Sequence, residues 1–146
     1  MPPVKSLGNS RAQYNYKFGL TGLEAVLPPP VPVYSDDVFS TYLYEASGST
    51  QPINNGIDLD GESGMVWIKN RLNGGTYTNH TVVDSERIGS NGHKSIYPNL
   101  PDGQFDPGSG QAVVTSFSSN GFTRGGNANV TNGDNVAWTF RKQPGF

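Results

Sequence analysis

The chain has 146 residues, the length of a single domain of ordinary size. Its net charge is −2 and no three like charges are adjacent, so it lacks both a basic nucleic-acid footprint and a patch for anionic membranes. Without cysteine and without an apolar run of roughly 20 residues, we expect no disulfide, no cysteine ligand and no membrane insertion. Hydrophobic residues make up only 34%, and 19 glycines with abundant Asn and Ser favour strands and turns over helices.

Residues 1–34 differ from the rest in charge, with three basic residues against one acidic, whereas residues 35–146 carry an excess of acidic residues. The spacing of Leu20, Leu23, Val26 and Leu27 predicts a short helix of about two turns with one apolar face, which Pro28–Pro30 ends before an extended proline-rich linker. The segment is too short to bury its own apolar side chains. We therefore predict an extended N-terminal docking arm that binds a partner chain, with loose packing on its own domain as the alternative. The predicted docking residues are Tyr14, Tyr16, Phe18, Leu20, Leu23 and Leu27.

From residue 37 onward, β-branched and aromatic residues alternate with polar ones, and turn residues such as Asn-Gly separate the runs. This pattern, without an amphipathic helix, predicts an all-β domain over residues 35–146, an antiparallel sandwich or barrel. Residues 86–111 are rich in Gly, Pro and Asn and predict a long ordered loop, where binding sites on such domains often lie. The predicted strands are 38–44, 52–59, 65–71, 80–85, 112–118, 121–125 and 135–142.

The two tryptophans lie on different predicted strands. Val136, Trp138 and Phe140 share one face of their strand, which predicts that Trp138 is a core residue. Trp67 shares its face with Lys69, so it is either a core residue or a platform on which a sugar ring stacks. The candidate surface for a glycan or a neighbouring subunit comprises Trp67, Tyr77, Tyr97 and Phe105.

Three carboxylates at spacing two, Asp58, Asp60 and Glu62, resemble a fragment of a calcium loop but lack its downstream bidentate glutamate. An Asp-Gly turn explains them, so we expect no metal and no cofactor. Asp84 and Glu86 share a side of their strand as an acid/base pair would, but Arg87 provides an ordinary salt-bridge partner. Neither histidine belongs to a catalytic motif, and we expect no enzymatic activity.

Several motifs occur in a characteristic order: GMVWIKNR, VVDSERIGSN, VVTSFSSNGFTRGG and NVAWTFRKQPGF. From about Val38 to Phe146 the chain resembles a domain of unknown function that recurs in tail-fibre and other virion proteins of tailed bacteriophages, notably marine ones. The resemblance implies a concanavalin-like, lectin-type sandwich of the jelly-roll kind. The chain departs from it in a longer segment before residue 110 and in Arg124, which stands where an aliphatic residue is common.

The resemblance and the arm together predict a bacteriophage virion structural protein, a tail fibre or another tail appendage, docked to the particle through the arm. Its expected partners are other virion proteins and further copies of itself, a trimer being one option, and no nucleic acid. Because the N-terminus lacks a signal peptide, we expect synthesis in the host cytoplasm and a final location in the virion. Two alternatives stay open: a lectin-like module that recognises a host surface glycan, and a capsid decoration protein.

Deleting residues 1–34 should leave a folded domain that no longer binds its partner chains, because the apolar side chains of the arm each contribute about 1.5–3 kcal/mol when buried. Circular dichroism checks the fold, and co-purification with the particle checks the binding. A truncated protein that still assembles would place the anchor elsewhere in the chain.

Overall fold

The structure is a computed structural model that describes residues 31–71, 79–108, 112–126 and 133–143. One helical turn, α1 (Ser35–Val38), precedes the strands, and the Asp37 carboxylate accepts a hydrogen bond from the Tyr34 N–H at 2.9 Å. The chain divides into two compact units, Met1–Pro32 and Val33–Phe146, and the second contains every described strand. These strands are β1 (Phe39–Ala46), β2 (Gln51–Asn54), β3 (Gly64–Asn70), β4 (His80–Gly89), β5 (Gly92–Ile96), β6 (Val114–Ser118), β7 (Gly121–Arg124) and β8 (Gly133–Arg141).

The strands form two antiparallel sheets, one of five strands in the order β1-β8-β3-β4-β5 and one of three in the order β2-β7-β6. The predicted all-β class is therefore confirmed. The strand predicted over 52–59 ends early, at Asn54. Gly56 adopts a φ of +88°, which few other residues tolerate, and the following backbone bends so that the Leu59 N–H donates to the Ser118 carbonyl.

The predicted loop over residues 86–111 is wrong in its first part, because β4 continues to Gly89 and β5 follows at Gly92. Gly89 pairs with Gly92 across the two-residue turn Ser90–Asn91, and the β6–β7 hairpin has the same Ser-Asn turn before Gly121. The sequence pattern did not reveal that β4 continues to Gly89, because the strand is irregular between Val83 and Ile88. The Asp84 carboxylate accepts hydrogen bonds from the N–H groups of Glu86 and Arg87, and regular pairing resumes only at Ile88.

Apolar residues of both sheets share one core. Along the strands of the five-stranded sheet, the core side chains come from alternate positions and so point to one side of the sheet, which we call the inner face. Phe122 of β7 lies at the centre, 1% exposed, with its ring edge-on to Tyr44 at 6.5 Å. The core comprises Tyr44, Ala46, Ile53, Ile57, Leu59, Val66, Ile68, Val83, Val113, Val114, Phe122 and Ala137.

Trp138 does not lie in this core, contrary to the prediction. The alternation within β8 is as predicted, but Ala137 and Thr139, both 0% exposed, face the core, so Trp138 points to the opposite, outer face. Small residues are needed on the inner side because the second sheet supplies bulky ones. The prediction failed because it took the larger apolar face of β8 for the buried one.

Arg124 is fully buried at the end of β7. Its Nη1 donates to the Ser49 carbonyl at 3.3 Å, so the guanidinium holds the turn between β1 and β2. Burial lowers the pKa of Arg124 and raises that of the Tyr44 hydroxyl, while the electrostatic interaction between the two groups opposes both shifts. Arg124 therefore places a cation in electrostatic interaction with the Tyr44 phenol inside the fold.

The two aromatic residues Phe122 and Trp138 should differ in their contribution to stability. Phe122→Ala should lower the free energy of unfolding by about 3–5 kcal/mol, because it leaves a cavity in the core. Trp138→Ala should cost only about 1–2 kcal/mol, because its ring is half-buried on the outer face. Urea denaturation measures both, and equal losses would contradict the assignment of the faces.

Candidate binding face

The outer face of the five-stranded sheet carries a grid of large side chains whose order follows from the strand register. The central row runs across five strands through Thr41, Trp138, Trp67, Val82 and Ile96. Antiparallel partners point to the same side of a sheet, so these residues are lateral neighbours. The rows beside it contain Leu43, Val136, Lys69 and His80 on one side and Phe39, Phe140, Met65 and Asp84 on the other.

The part of this face formed by β1 and β8 is mainly apolar, apart from Thr41 and the Glu45–Asp134 pair at one end. We call Phe39, Leu43, Val136, Trp138 and Phe140 the apolar half. The rings of Phe39 and Phe140 lie 5.0 Å apart. Val136 is covered by its neighbours and only 7% exposed, whereas Leu43, one strand away, is 58% exposed. A leucine side chain is thus left in solvent at the edge of a continuous apolar surface.

The part formed by β3 and β4 is both aromatic and polar, and we call Trp67, Asn79, His80 and Asn99 the indole–amide corner. The Trp67 indole is edge-on to Trp138 at 5.9 Å and to the His80 ring at 5.6 Å. Its N–H donates to His80 Nδ1 at 2.9 Å. The His80 backbone N–H donates to Asn99 Oδ1, and Asn99 Nδ2 donates to Asn79 Oδ1, both at 2.9 Å.

The hydrogen bond from Trp67 determines the state of His80. Because Nδ1 accepts a hydrogen bond from the indole N–H, the neutral ring must carry its own proton on Nε2. Burial, and secondarily the nearby charge of Lys69, lowers the pKa of His80 below its ordinary value of 6.5. The imidazole is therefore neutral near pH 7, with a single N–H donor whose direction the indole determines.

The structure separates the predicted surface residues. Trp67 lies on the outer face, whereas Phe105 pairs with Ser95 on the inner side, and Tyr97 packs against Phe105 at 6.3 Å. Two backbone hydrogen bonds, at 2.8 and 3.0 Å, tie Phe105 to Ser95, so this part of the chain covers the edge of β5. Tyr77 lies outside the described residues, as do Tyr14, Tyr16, Phe18, Leu20, Leu23 and Leu27 of the predicted arm.

The remaining polar candidates have local structural partners. Asp58 Oδ1 accepts from the Gly61 N–H at 2.9 Å, which is a turn contact, and Arg87 forms a salt bridge with Asp84. His93 contacts the Asp84 carbonyl at 3.1 Å and stacks edge-on against Phe117. Among the described residues, no group of three or more acidic or histidine side chains is placed to hold a metal ion.

A cleft of about 320 Å³ lies elsewhere, beside the turn between β1 and β2. Small and uncharged residues line it: Gly48, Thr50, Asn91, Ala112, Thr115, Gly125 and Gly126. The described residues of its walls offer hydroxyl, amide and backbone groups but no charge and no aromatic ring. The cleft therefore offers fewer groups for recognising a ligand than the outer face of the five-stranded sheet does.

Sequence reasoning did not assign Asn79, Asn99 or the β1 residues Phe39 and Leu43 to a site. Asparagines in turns are too common to stand out, and their hydrogen bonds join segments 20 residues apart. One signal was present, because β3 is apolar on both sides: Met65 and Trp67 alternate with Val66 and Ile68. A strand of this kind belongs to a sheet that is covered, or bound, on both faces.

A family model described as a domain of unknown function, DUF7483, matches residues 34–145, more than half of the chain. Searches of curated proteins and of solved structures gave no match. In the part of the chain that the structure describes, no helix is both long and apolar enough to cross a membrane.

The indole N–H of Trp67 should report the titration of His80. When Nδ1 is protonated it can no longer accept the indole hydrogen, so the Trp67 N–H resonance should shift with a midpoint below 6.5. The pKa of His80 is lower in the folded protein than in the unfolded chain, so the unfolded chain binds this proton more readily. Lowering the pH below 6.5 should therefore also reduce the stability of the fold. His80→Asn should abolish the shift and His93→Asn should keep it. A pH-independent Trp67 resonance in the wild type would contradict the hydrogen bond.

Proposed function

We propose that this chain, which belongs to the DUF7483 family of domains of unknown function, is a structural subunit of a tailed-bacteriophage particle. In this proposal the two sheets form a lectin-type sandwich in a tail fibre or another tail appendage. The N-terminal arm anchors the chain, and the apolar half of the outer face binds neighbouring virion chains. The phage context comes from the resemblance of the motifs, and the binding role comes from the geometry of this face.

One observation carries the binding role, namely that the five-stranded sheet has clusters of apolar side chains on both faces. Its inner face is covered by the three-stranded sheet through residues such as Phe122 and Val114. Its outer face presents aromatic and aliphatic side chains in the rows described above. An antiparallel sheet usually leaves one face polar and solvated, so an apolar second face favours contact with another chain.

The edge of the same sheet supports contact between copies. In the described part of the chain β1, a strand of eight residues, lies at the edge of the sheet beside β8. Tyr42 and Leu43 are 37% and 58% exposed on opposite sides of it. β1 contains neither lysine nor proline, two residues with which proteins commonly block pairing at an exposed edge. Pairing along β1 would bring two apolar halves together in a homo-oligomer.

The polar groups that an enzyme would use are engaged in the fold instead. Asp84 caps the N–H groups of the β4 irregularity and pairs with Arg87, and both described histidines are held by hydrogen bonds. Lys94 pairs with Asp106 at 3.2 Å. These contacts favour a protein that works by binding, which agrees with a structural role.

Leu43→Asp tests the proposal without disturbing the core, because a substitution at so exposed a site should change stability by no more than about 0.5 kcal/mol. A phage carrying this variant should incorporate the chain into its particles at least roughly tenfold less, as expected when a central contact of an interface is lost. Immunoblots of purified particles measure incorporation.

The matched control is Ile88→Asp, because Ile88 is also exposed, at 69%, but lies in the β4–β5 hairpin away from the apolar half. It should be incorporated like the wild type. If Leu43→Asp is incorporated equally well, the apolar half is not the contact surface. If purified particles lack the wild-type chain, the virion role itself is wrong.

A further inference from the structure

The indole–amide corner contains polar donors that the fold orients but does not use. His80 Nδ1 is occupied by Trp67, which leaves the Nε2–H of the ring as a donor. Asn99 Oδ1 accepts the His80 N–H, and Asn79 Oδ1 accepts one N–H of Asn99. Both N–H groups of the Asn79 amide remain, and within the described residues none accepts a hydrogen bond from them.

A purely structural role explains only part of this cluster. Asn99 joins the Tyr97–Leu100 turn to the start of β4, so its amide clearly stabilises the fold. That function would be complete without Asn79 Nδ2, without the His80 Nε2–H and without two half-buried indoles beside them. The surplus at His80 is an oriented donor next to the Trp67 indole, and the Asn79 amide adds further donors through its hydrogen bond with Asn99. A donor beside aromatic surface is the pairing that a ligand with both hydroxyl groups and C–H faces requires.

We propose that this corner binds a pyranose residue of a glycan, whose C–H face packs on the indole surface of Trp67 while its hydroxyl oxygens accept hydrogen bonds from Asn79 and His80. A protein partner with an apolar surface fits the corner less well, because it would bury these donors without satisfying them. Sugar hydroxyls satisfy them at little ordering cost, because the hydrogen-bond chain already fixes His80 and both asparagines.

The corner and the apolar half have different occupants in this scheme. The apolar half, on β1 and β8, contacts protein, and the corner, on β3 and β4, remains accessible to a glycan. The saccharide site does not depend on the virion role, since the isolated protein should bind sugar whether or not it belongs to a particle.

The test is a titration of the purified full-length chain with a panel of monosaccharides, neutral and acidic, and with short oligosaccharides. Tryptophan fluorescence and saturation-transfer NMR detect binding, which for a single sugar on an open face should have a Kd on the order of 1 mM. Asn79→Ala should weaken binding at least roughly tenfold, and Trp67→Phe, which keeps an aromatic ring but removes the N–H that orients His80, should weaken it as well.

Asn54→Ala is the matched control, because Asn54 is an exposed asparagine on β2 of the other sheet. It should bind like the wild type, and thermal melting should show that all three variants are folded. Saturable binding that Asn79→Ala and Trp67→Phe leave unchanged would move the site elsewhere and overturn the proposal. Absence of saturable binding across the panel would overturn it too, and binding of only another protein at this corner would assign the corner to the docking surface.

Discussion

The pairing of β3 with β8 is the constraint on which the arrangement of this protein depends. Its register places Trp67 opposite Trp138 and, one step along, Ile68 opposite Ala137. The first pair goes to the outer face and the second to the core, because side chains alternate along both strands. A shift of one residue in this pairing would turn one of the two strands over and point its indole toward Phe122 in the core. The core and the binding face are therefore determined by the same set of hydrogen bonds.

The inner face of the five-stranded sheet accepts polar residues to an unusual degree. Asn70, Thr81, Ser95, Asn135 and Thr139 are each at most 2% exposed. They are accommodated because they find partners: Asn55 Nδ2 donates to Thr139 Oγ1 at 2.7 Å, and Asn70 Nδ2 donates to Asn135 Oδ1 at 3.4 Å. Hydrogen-bonded pairs of this kind avoid the cost of burying an unsatisfied polar group. In β8 the polar side is thus the buried one, and the aromatic side is the one that meets the surroundings.

The two functional proposals rest on two chemically different parts of the outer face, the apolar half and the indole–amide corner. In the apolar half, on β1 and β8, the side chains are hydrocarbon and aromatic, and only contact with another apolar surface removes them from water. At the start of β4 a hydrogen-bond chain fixes His80 and two asparagines beside the Trp67 indole and leaves donors that a polar ligand can satisfy. The irregularity at Asp84 contributes indirectly, because it lets β4 continue into the hairpin with β5 and brings the Tyr97–Leu100 turn back beside His80.

Sequence periodicity by itself determined the all-β class, most of the strands and the alternation within β3 and β8, because these depend on neighbours in the chain. It also identified Trp67 as a surface candidate, through the lysine on the same side of β3. It could not decide which side of β8 is buried, since Val136, Trp138 and Phe140 are more apolar than Ala137 and Thr139. That choice rests on the volume that β2, β6 and β7 already supply to the core. The site residues Asn79 and Asn99 likewise required the tertiary structure, because their hydrogen bonds join residues that only the folded sheet brings together.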